Sequence, residues 1–349
     1  MTSDADGHRF ESARLAVVGA GFMGRLHAKA IVDSDLAALA AVVDVDPGAR
    51  RLADAHGATY HPSIEALLDA DDIDGFVVCL PDRAHVPTAC ALLEAGRAVL
   101  LEKPMADTLE GALRIVEASR RGNARLLVAH ILRFDPCYAH AAAAVAEGRL
   151  GDVVHLSSGR LGVRDIGRRL DGSSSVLFYL GVHDVDLIQW ISGRRIVRVS
   201  SISASKLMPS LGVDSEDVIV TNAELEDGIV AQLYAGWTLR SDTPSPINAR
   251  TTVVASDGAL EVDVRDHGLR MHTSAGWELP DALHWPQVHG RTGGDLAEQL
   301  RHFVVAVMRG EPFQMGLEDA VSTTAVNDAI LRAVRTRRPE EVERWSLPG

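Results

Sequence analysis

Residues 15–24 read LAVVGAGFMG, in which a short apolar run leads directly into Gly19, Gly21 and Gly24. A run of this length next to turn residues is typical of a buried β-strand. The G-x-G-x-x-G spacing has a mechanical reason: the first glycine permits a tight turn, the second lets a pyrophosphate approach the backbone, and the third lets helix and strand pack closely. The stretch therefore predicts a strand, a phosphate-binding turn and a helix whose N-terminus faces an anion.

The second apolar run, Leu39–Val43, is followed by an acidic residue, Asp44. A carboxylate at this strand end, about 20 residues beyond the third glycine, accepts hydrogen bonds from the adenosine ribose of a bound dinucleotide. Its charge opposes a 2′-phosphate, so NAD is favoured over NADP, while Arg50 and Arg51 lie close enough in sequence to accommodate that phosphate. The alternative interpretation is a structural glycine turn followed by a solvent-facing Asp.

The chain around this stretch continues the same alternation. Apolar runs recur at Gly75–Leu80, Ala98–Leu101 and Leu126–Ala129 between segments of helical period, which is typical of βαβ units on a parallel sheet. Further along, successive strand patterns are close enough for hairpins. We therefore predict an α/β protein with an N-terminal Rossmann parallel sheet in residues 10–132. Residues 133–349 are expected to form an α+β domain that carries a largely antiparallel open sheet.

Composition excludes several classes of function. The 35 Lys+Arg and 48 Asp+Glu give a formal net charge of 35 − 48 = −13, which disfavours nucleic acid as a partner. The three cysteines have neither metal-ligand spacing nor the even number of a disulfide framework. The polar start of the chain carries no apolar signal segment, and no apolar run is long enough to cross a membrane. A cytoplasmic protein without membrane contact is expected.

Two segments carry candidate catalytic groups. Lys103 lies with Glu102 at the carboxyl end of the predicted strand Ala98–Leu101, and the carboxyl edge of a parallel sheet faces the ligand crevice. Further on, Tyr179 and His183 are spaced i, i+4, and Asp186 follows three residues later, which predicts one shared helix face. The competing interpretations are a surface lysine and a histidine in ordinary packing.

A metal site is the poorer interpretation of the second segment. His183 and Asp186 could serve as ligands, but Asp184 points to another helix face. No second histidine cluster has metal-ligand spacing. We therefore expect no metal.

These motifs occur in one order along the chain: GAGFMGRLHA, the strand-end Asp44, CLPDRAH, EKP, AHILRFDP and GVHDVDLIQW. The set resembles the glucose-fructose oxidoreductase, inositol dehydrogenase and MocA family of NAD(P)-dependent oxidoreductases, over essentially the whole chain. The resemblance implies hydride transfer between a nicotinamide and a secondary alcohol or ketone of a sugar, an inositol or a related polyol. It also implies a homodimer or homotetramer formed through the C-terminal sheet.

The resemblance assigns roles to the catalytic candidates. Lys103 corresponds to the catalytic lysine of the EKP motif, and His183 to the catalytic histidine of a D-x-x-x-H pattern. This chain has Tyr179 where many family dehydrogenases have the aspartate, and some family reductases use a tyrosine as the acid/base group in this region. Tyr179 or His183 is therefore expected to exchange the proton beside the Lys103 ammonium, or Lys103 itself shuttles it.

The binding residues follow from the same resemblance. Cofactor contacts are expected at the glycine turn and at the strand ends: Gly19, Gly21, Phe22, Met23, Gly24, Asp44, Leu80, Pro81, Asp82, His85, Glu102 and Lys103. Asp82 is expected in a loop that approaches the nicotinamide. Arg133 and Asp186 are expected to contact the substrate, with a salt bridge between domains as the alternative for Arg133. A non-catalytic dinucleotide-binding sensor or regulatory protein of the same fold is the alternative function.

Overall fold

The computed structural model of the chain describes residues 2–3, 9–10, 12–265, 269–274 and 276–347. These residues divide into two compact units. The first unit holds the described residues up to Phe134 together with Leu283–Val321 and Leu347. The second holds the described residues of Asp135–Ala282 and Ser322–Ser346. The sequence predicted one boundary, at residues 132 and 133, whereas the structure returns Leu283–Val321 to the first unit.

A parallel sheet forms the centre of the first unit. Among the described residues it has six strands: β1 (Ala13–Val18), β2 (Ala37–Val43), β3 (Thr59–His61), β4 (Gly75–Val78), β5 (Val99–Glu102) and β6 (Leu126–Ala129). Their order is β3-β2-β1-β4-β5-β6, and every neighbouring pair is parallel. All four residues of β4 and all four of β6 are buried, as expected for strands that are covered on both faces. The predicted Rossmann sheet is confirmed.

Helices connect these strands. They are α1 (Phe22–Asp33), α2 (Arg50–Ala55), α3 (Asp82–Glu94) and α4 (Leu109–Arg121). In α4, Thr108 caps the N-terminus by accepting a hydrogen bond from the Gly111 N–H at 3.1 Å, and Arg120 and Arg121 lie in the last turn, where cations are favoured. Residues close to each end of α4 therefore explain where this helix begins and ends.

Helix α3 begins earlier than Pro87 suggests, and this changes where the CLPDRAH segment lies. A proline inside a helix lacks the N–H for one hydrogen bond, yet α3 runs from Asp82 through Pro87. Pro87 is the sixth residue of the helix, beyond the first four N–H groups that lack intrahelical partners, so α3 forms without one backbone hydrogen bond at this position. Asp82 thus opens a helix instead of lying in the expected loop.

The second unit is built on a mixed sheet. Among the described residues its strands are β7 (Val153–Val163), β8 (Ile196–Ala204), β9 (Val218–Leu225), β10 (Val230–Leu239), β11 (Ile247–Ala255), β12 (Ala259–Asp263) and, near the C-terminus, Glu340–Glu341. The order is β12-β11-β7-β10-β9-β8, and Glu340–Glu341 pairs with β8. All pairs are antiparallel except β7 with β10. The expected largely antiparallel sheet is confirmed.

One face of this sheet carries the core of the second unit. Leu233 of β10, Val253 of β11 and Ile219 of β9 point to this face and are at most 1% exposed. The helices of the unit are α5 (Pro136–Ala146), α6 (Arg164–Leu170), α7 (Val182–Ser192) and the short α8 (Leu207–Ser210). A π-helical segment, Leu177–Gly181, leads directly into α7.

Among the described residues, two further helices and three short antiparallel strand pairs remain, one of which joins Thr2–Ser3 to Arg9–Phe10. The other two pairs join Met271–Thr273 to Gly276–Glu278 and Gln287–Val288 to Arg291–Thr292. The helices are α9 (Gly294–Arg309) and α10 (Leu317–Thr336). Helix α9 explains why the chain returns to the first unit, because the buried ring of Phe303 lies against Gly75 at the start of β4. No helix among the described residues is both long and apolar enough to span a membrane.

Candidate active site

The glycine turn between β1 and α1 has the geometry that its spacing predicts. Gly19 has a φ of +94°, and a Cβ there would lie 2.6 Å from the carbonyl oxygen of Cys79. A Cβ on Gly24 would lie 1.8 Å from the carbonyl oxygen of Gly19, so helix and turn can approach only without a side chain. A Cβ on Gly21 would meet nothing within 4 Å, which leaves this side of the turn open to a ligand. The turn therefore fits a pyrophosphate.

Helix α1 begins directly at this turn. The first N–H groups of a helix have no intrahelical acceptor, and Gly21 at the N-cap has no side chain to occupy them. Phe22, at the first position of the helix, is 51% exposed, and Met23 is half-buried. The positive end of the helix and its N–H groups therefore lie where the phosphates of NAD would bind.

Asp44 lies beside the same turn, at the end of β2. Its Oδ2 accepts a hydrogen bond from the Ala20 N–H at 2.6 Å, and its Oδ1 accepts one from the Asp46 N–H at 2.8 Å. The side chain is half-buried, so it fixes the turn and still presents charge to solvent. The Arg50 guanidinium lies over the Tyr60 ring, 4.8 Å from its centroid. Asp44 can thus receive a ribose, as NAD requires.

The segment after β4 forms a second wall at the same sheet edge. Leu80 is half-buried, Pro81 is exposed and Asp82 opens α3. His85 is fully buried, with Nδ1 at 2.7 Å from the Pro104 carbonyl oxygen and Nε2 at 2.8 Å from the Leu80 carbonyl oxygen. Since both ring nitrogens contact the backbone, His85 connects the segments that follow β4 and β5, and a contact between its ring nitrogens and a cofactor stays a prediction.

Glu102 and Lys103 follow on β5, the neighbouring strand. Glu102 is 7% exposed, and its Oε1 lies 2.9 Å from Nε2 of the fully buried His27. Burial alone would raise the pKa of Glu102, but the hydrogen bond and charge of His27, with the charges of Lys103 and His85, lower it below its ordinary value. An ionised carboxylate therefore lies directly before Lys103, which is half-buried.

In the second unit, the segment that carries Tyr179 is π-helical. Ser175 lies two residues before this segment, and its Oγ accepts a hydrogen bond from the Leu177 N–H at 3.1 Å and donates one to Glu216 at 2.5 Å. Tyr179 receives a hydrogen bond from Arg169 Nη2 at 3.2 Å, and its ring centroid lies 5.4 Å from that of Trp237. The shared helix face of Tyr179 and His183 was predicted from regular α-helical spacing. Residues 177–181 are π-helical instead, so the shared face stays a prediction.

Helix α7 carries the other candidates of the second unit. His183 is half-buried and Asp186 is 2% exposed, and both lie within regular α-helix. Asp184, between them, points to the interior at 0% exposure. The expected spacing of His183 and Asp186 on one face, with Asp184 on another, agrees with this helix.

Asp184 belongs to a buried polar network that the sequence analysis missed. Its Oδ2 lies 3.3 Å from Arg160 Nε, and its Oδ1 accepts a hydrogen bond from Ser158 Oγ at 2.7 Å. Ser158 also contacts the Thr251 hydroxyl at 2.8 Å. The only signal in the sequence was a charged residue, Arg160, within the stretch Leu156–Val163, whose other residues are small or apolar. The network holds α7 to β7 and β11.

Arg133 forms an ion pair inside the first unit. Its Nη1 lies 2.9 Å from Asp319 Oδ2, and only 9% of its side chain is exposed. Both residues belong to the first unit, so this pair is not the expected salt bridge between domains. Substrate contact by Arg133 stays a prediction. Among the described residues, no group of three or more His, Cys, Asp or Glu is arranged to hold a metal ion.

Comparison with known proteins gives two family matches in chain order. Residues 13–130 match the GFO_IDH_MocA model, described as an oxidoreductase family with an NAD-binding Rossmann fold. Residues 138–261 match the GFO/IDH/MocA C-terminal domain. The two matches together cover more than half of the chain.

Three similar proteins span different shares of the chain. Inositol 2-dehydrogenase 2 of Saccharopolyspora erythraea is 36% identical over 192 residues, which are 54% of this chain and 56% of that protein. Inositol 2-dehydrogenase 1 of the same organism is 29% identical over 97% of this chain and 98% of its own length. The crystal structure of GenD2 from gentamicin A biosynthesis, in complex with NAD, superposes with a TM-score of 0.86 at 26% identity, covering 97% of this chain and 98% of that one.

Proposed function

The chain belongs to the GFO/IDH/MocA family of NAD-binding oxidoreductases acting on CH–OH groups, and from this membership we propose that it interconverts a secondary alcohol and a ketone of an inositol, a sugar or a related polyol. The observation that carries the proposal is the common sheet edge of the first unit. There the glycine turn, Asp44 and Lys103 all follow the carboxyl ends of parallel strands. A turn for a dinucleotide and a cation for a developing alkoxide are thus built on one scaffold.

The relatives support a polyol as the substrate class. Two proteins similar to this chain are named inositol 2-dehydrogenases, and one of them matches it over almost its whole length. GenD2, from gentamicin A biosynthesis, is 26% identical to this chain. A ring that carries several hydroxyl groups is therefore the substrate that we propose.

The proton is proposed to pass through residues of this chain. Bound NAD supplies the hydride acceptor, or its reduced form supplies the donor. Removing a hydride from a secondary alcohol requires that its hydroxyl proton be accepted, and the reverse reaction requires a donor within about 3 Å of the oxygen. We assign this exchange to His183 or Tyr179 and the stabilisation of the alkoxide charge to Lys103, with proton transfer by Lys103 itself as the alternative.

The first experiment is an activity panel. With purified protein and NAD, we expect growth of the reduced-nicotinamide absorbance band with at least one inositol or sugar, and its decay when NADH meets the corresponding ketone. The assay is repeated after exhaustive chelation, which should leave the rate unchanged. Tight NAD binding with no turnover across the panel would instead favour a dinucleotide sensor of the same fold.

The cofactor preference is expected to depend on Asp44. Replacing Asp44→Ser removes the carboxylate that we propose as the acceptor for the ribose hydroxyls, and hydrogen bonds to charged groups contribute about 1.5–3 kcal/mol. We therefore expect the ratio of kcat/KM for NAD to that for NADP to fall about 10- to 100-fold. Asp46→Ser is the matched control, because its carboxylate caps only the Gly48 N–H at 2.8 Å. A preference that survives Asp44→Ser would remove this residue from ribose recognition.

We also propose a homodimer or homotetramer, formed through the outer face of the second unit's sheet. Val230 and Val254 both pair with His155, so their side chains share the face opposite the core. Val230 is 48% exposed, Val254 is 40% exposed, and Ile202 on the same face is 68% exposed. Apolar side chains that are exposed on the same face of an open sheet favour burial against a second copy.

The oligomer is tested by mass in solution. We expect the double variant Ile202→Asp and Val230→Asp to lower the molar mass measured by light scattering to that of one 37.4 kDa chain. Leu211→Asp is the control, since Leu211 is 39% exposed and lies outside this sheet. A monomeric unmodified protein, or an unchanged mass in the double variant, would contradict this interface.

A further inference from the structure

The ring of His85 makes two contacts that one neutral imidazole cannot satisfy. Nδ1 lies 2.7 Å from the Pro104 carbonyl oxygen, and Nε2 lies 2.8 Å from the Leu80 carbonyl oxygen. A carbonyl oxygen only accepts hydrogen bonds, whereas a neutral imidazole carries one N–H and one bare nitrogen. Both contacts are hydrogen bonds only when both ring nitrogens carry a proton. His85 is fully buried, so a bare nitrogen facing a carbonyl would have no compensating water.

A buried cation needs a nearby negative charge, and the first unit supplies one. Glu102 is 7% exposed, and its pKa is lowered because the charges of His27, Lys103 and His85, with the His27 hydrogen bond, outweigh its burial. The Glu102 charge also acts on the half-buried Cys79 thiol, whose pKa is raised by burial and by that charge. A thiol stays neutral under these conditions, so Glu102 is the counter-charge.

The two carbonyl groups belong to the segments that follow two neighbouring strands, and the second of these segments contains Lys103. Leu80 follows β4 and Pro104 follows β5, and these strands are neighbours in the parallel sheet. His85 joins their carboxyl ends from α3. On the other side, the Glu102 carboxylate is bound to His27 of α1 at 2.9 Å. The residue before Lys103 is thus anchored to one helix and the residue after it to another.

We propose that His85 is a positioning residue for Lys103, acting as a doubly protonated imidazolium that ties the Leu80 carbonyl to the Pro104 carbonyl. Its action is indirect, because neither ring nitrogen is left to contact cofactor or substrate. Because the backbone is held on both sides of Lys103, the ammonium group can occupy few positions. Fixed orientation of a catalytic group raises the rate of the reaction step more than it strengthens binding. This proposal rests on the proposed catalytic role of Lys103.

The protonation state is tested on the unmodified full-length enzyme by neutron diffraction from crystals exchanged into D₂O. We expect deuterium on both Nδ1 and Nε2 of His85. Deuterium on one nitrogen alone would overturn the imidazolium. This measurement requires no variant to fold and no turnover, so its outcome does not depend on the proposed function.

The positioning role is tested by His85→Gln. Glutamine is similar in size to histidine. Its amide can donate a hydrogen bond to one of the two carbonyl oxygens but turns its own oxygen toward the other, so one of the two hydrogen bonds is lost. We expect kcat to fall about 100-fold while KM for NAD stays within about threefold, because misplacement of a catalytic group by about 1 Å has this effect on the reaction step. His140→Gln, an exposed histidine of α5, is the control and should leave both values unchanged.

Two results would contradict the positioning role. The first is a His85→Gln enzyme with kcat within threefold of the unmodified enzyme, and the second is a rise of KM for NAD that accounts for the whole loss. The proposed function fails separately, if the unmodified protein shows no turnover across the activity panel, and the proposed role of Lys103 fails if Lys103→Met turns over normally. If His85→Gln does not fold, the neutron result alone decides whether the imidazolium bridge exists.

Discussion

Replacing Lys103→Met should lower kcat about 10²- to 10⁴-fold while leaving NAD binding within about threefold. Methionine keeps most of the apolar stem and removes the ammonium that we propose as the hydrogen-bonding cation for the substrate oxygen. General acid–base groups and charge-stabilising donors contribute losses of this size when they are removed. The measurements are steady-state kinetics with the substrate that the panel identifies and a fluorescence titration with NADH.

The lysine content of the chain supplies a matched control. The sequence has three lysines, Lys29, Lys103 and Lys206, and Lys206 is exposed at the start of α8 in the second unit. Lys206→Met should therefore leave kcat unchanged. Turnover by the Lys103→Met enzyme at more than a third of the unmodified rate would remove Lys103 from the reaction. Tyr179→Phe and His183→Gln, measured beside it, then decide which side chain of the second unit exchanges the proton.

The second large effect is a loss of folding stability when Asp184 is replaced. Asp184→Asn keeps the shape of the side chain and removes its charge, so the Arg160 guanidinium, with 3% of its side chain exposed, loses its counter-charge. Removing one partner of a buried ion pair costs about 3–5 kcal/mol of unfolding free energy. Urea-induced unfolding followed by circular dichroism measures the change, and the slope against urea concentration should stay the same.

A double variant distinguishes the loss of the ion pair from a loss of packing. Arg160→Met together with Asp184→Leu removes both charges, and replacing a buried pair by apolar side chains of similar volume is often neutral or stabilising. We therefore expect the double variant to be more stable than Asp184→Asn. Asp214→Asn, an exposed carboxylate of the same unit, should change the free energy by less than about 0.5 kcal/mol. A loss below about 1 kcal/mol for Asp184→Asn would contradict the pairing.

The dinucleotide half of the candidate site was predictable because its signals are local. Gly19, Gly21 and Gly24 lie within six residues, and Asp44 ends the next strand, so spacing alone predicts their geometry. The position of Lys103 also followed, since the carboxyl ends of parallel strands share one edge. In the second unit, the strands and the α-helical spacing of His183 and Asp186 were also predictable from residues that lie close together in the sequence.

Three features were beyond sequence reasoning because they depend on distant partners. His27 and Glu102 are 75 residues apart, and nothing near His27 indicates that its ring meets a carboxylate. Arg160 meets Asp184 only because α7 packs on β7. The π-helical geometry of Leu177–Gly181, the segment that carries Tyr179, could not be predicted either, because its residues have no spacing that distinguishes them from α-helix.

The sequence by itself determined the parallel sheet, the phosphate-binding turn, the acidic strand end and the lysine at the sheet edge, because each depends on side chains a few residues apart. Only the tertiary structure decided the state of the side chains around that lysine. The partners of Glu102 and His85 come from α1 and from the loops after β4 and β5. Burial removes water from these groups, so their charges and proton positions depend on which neighbours the fold brings within 3 Å.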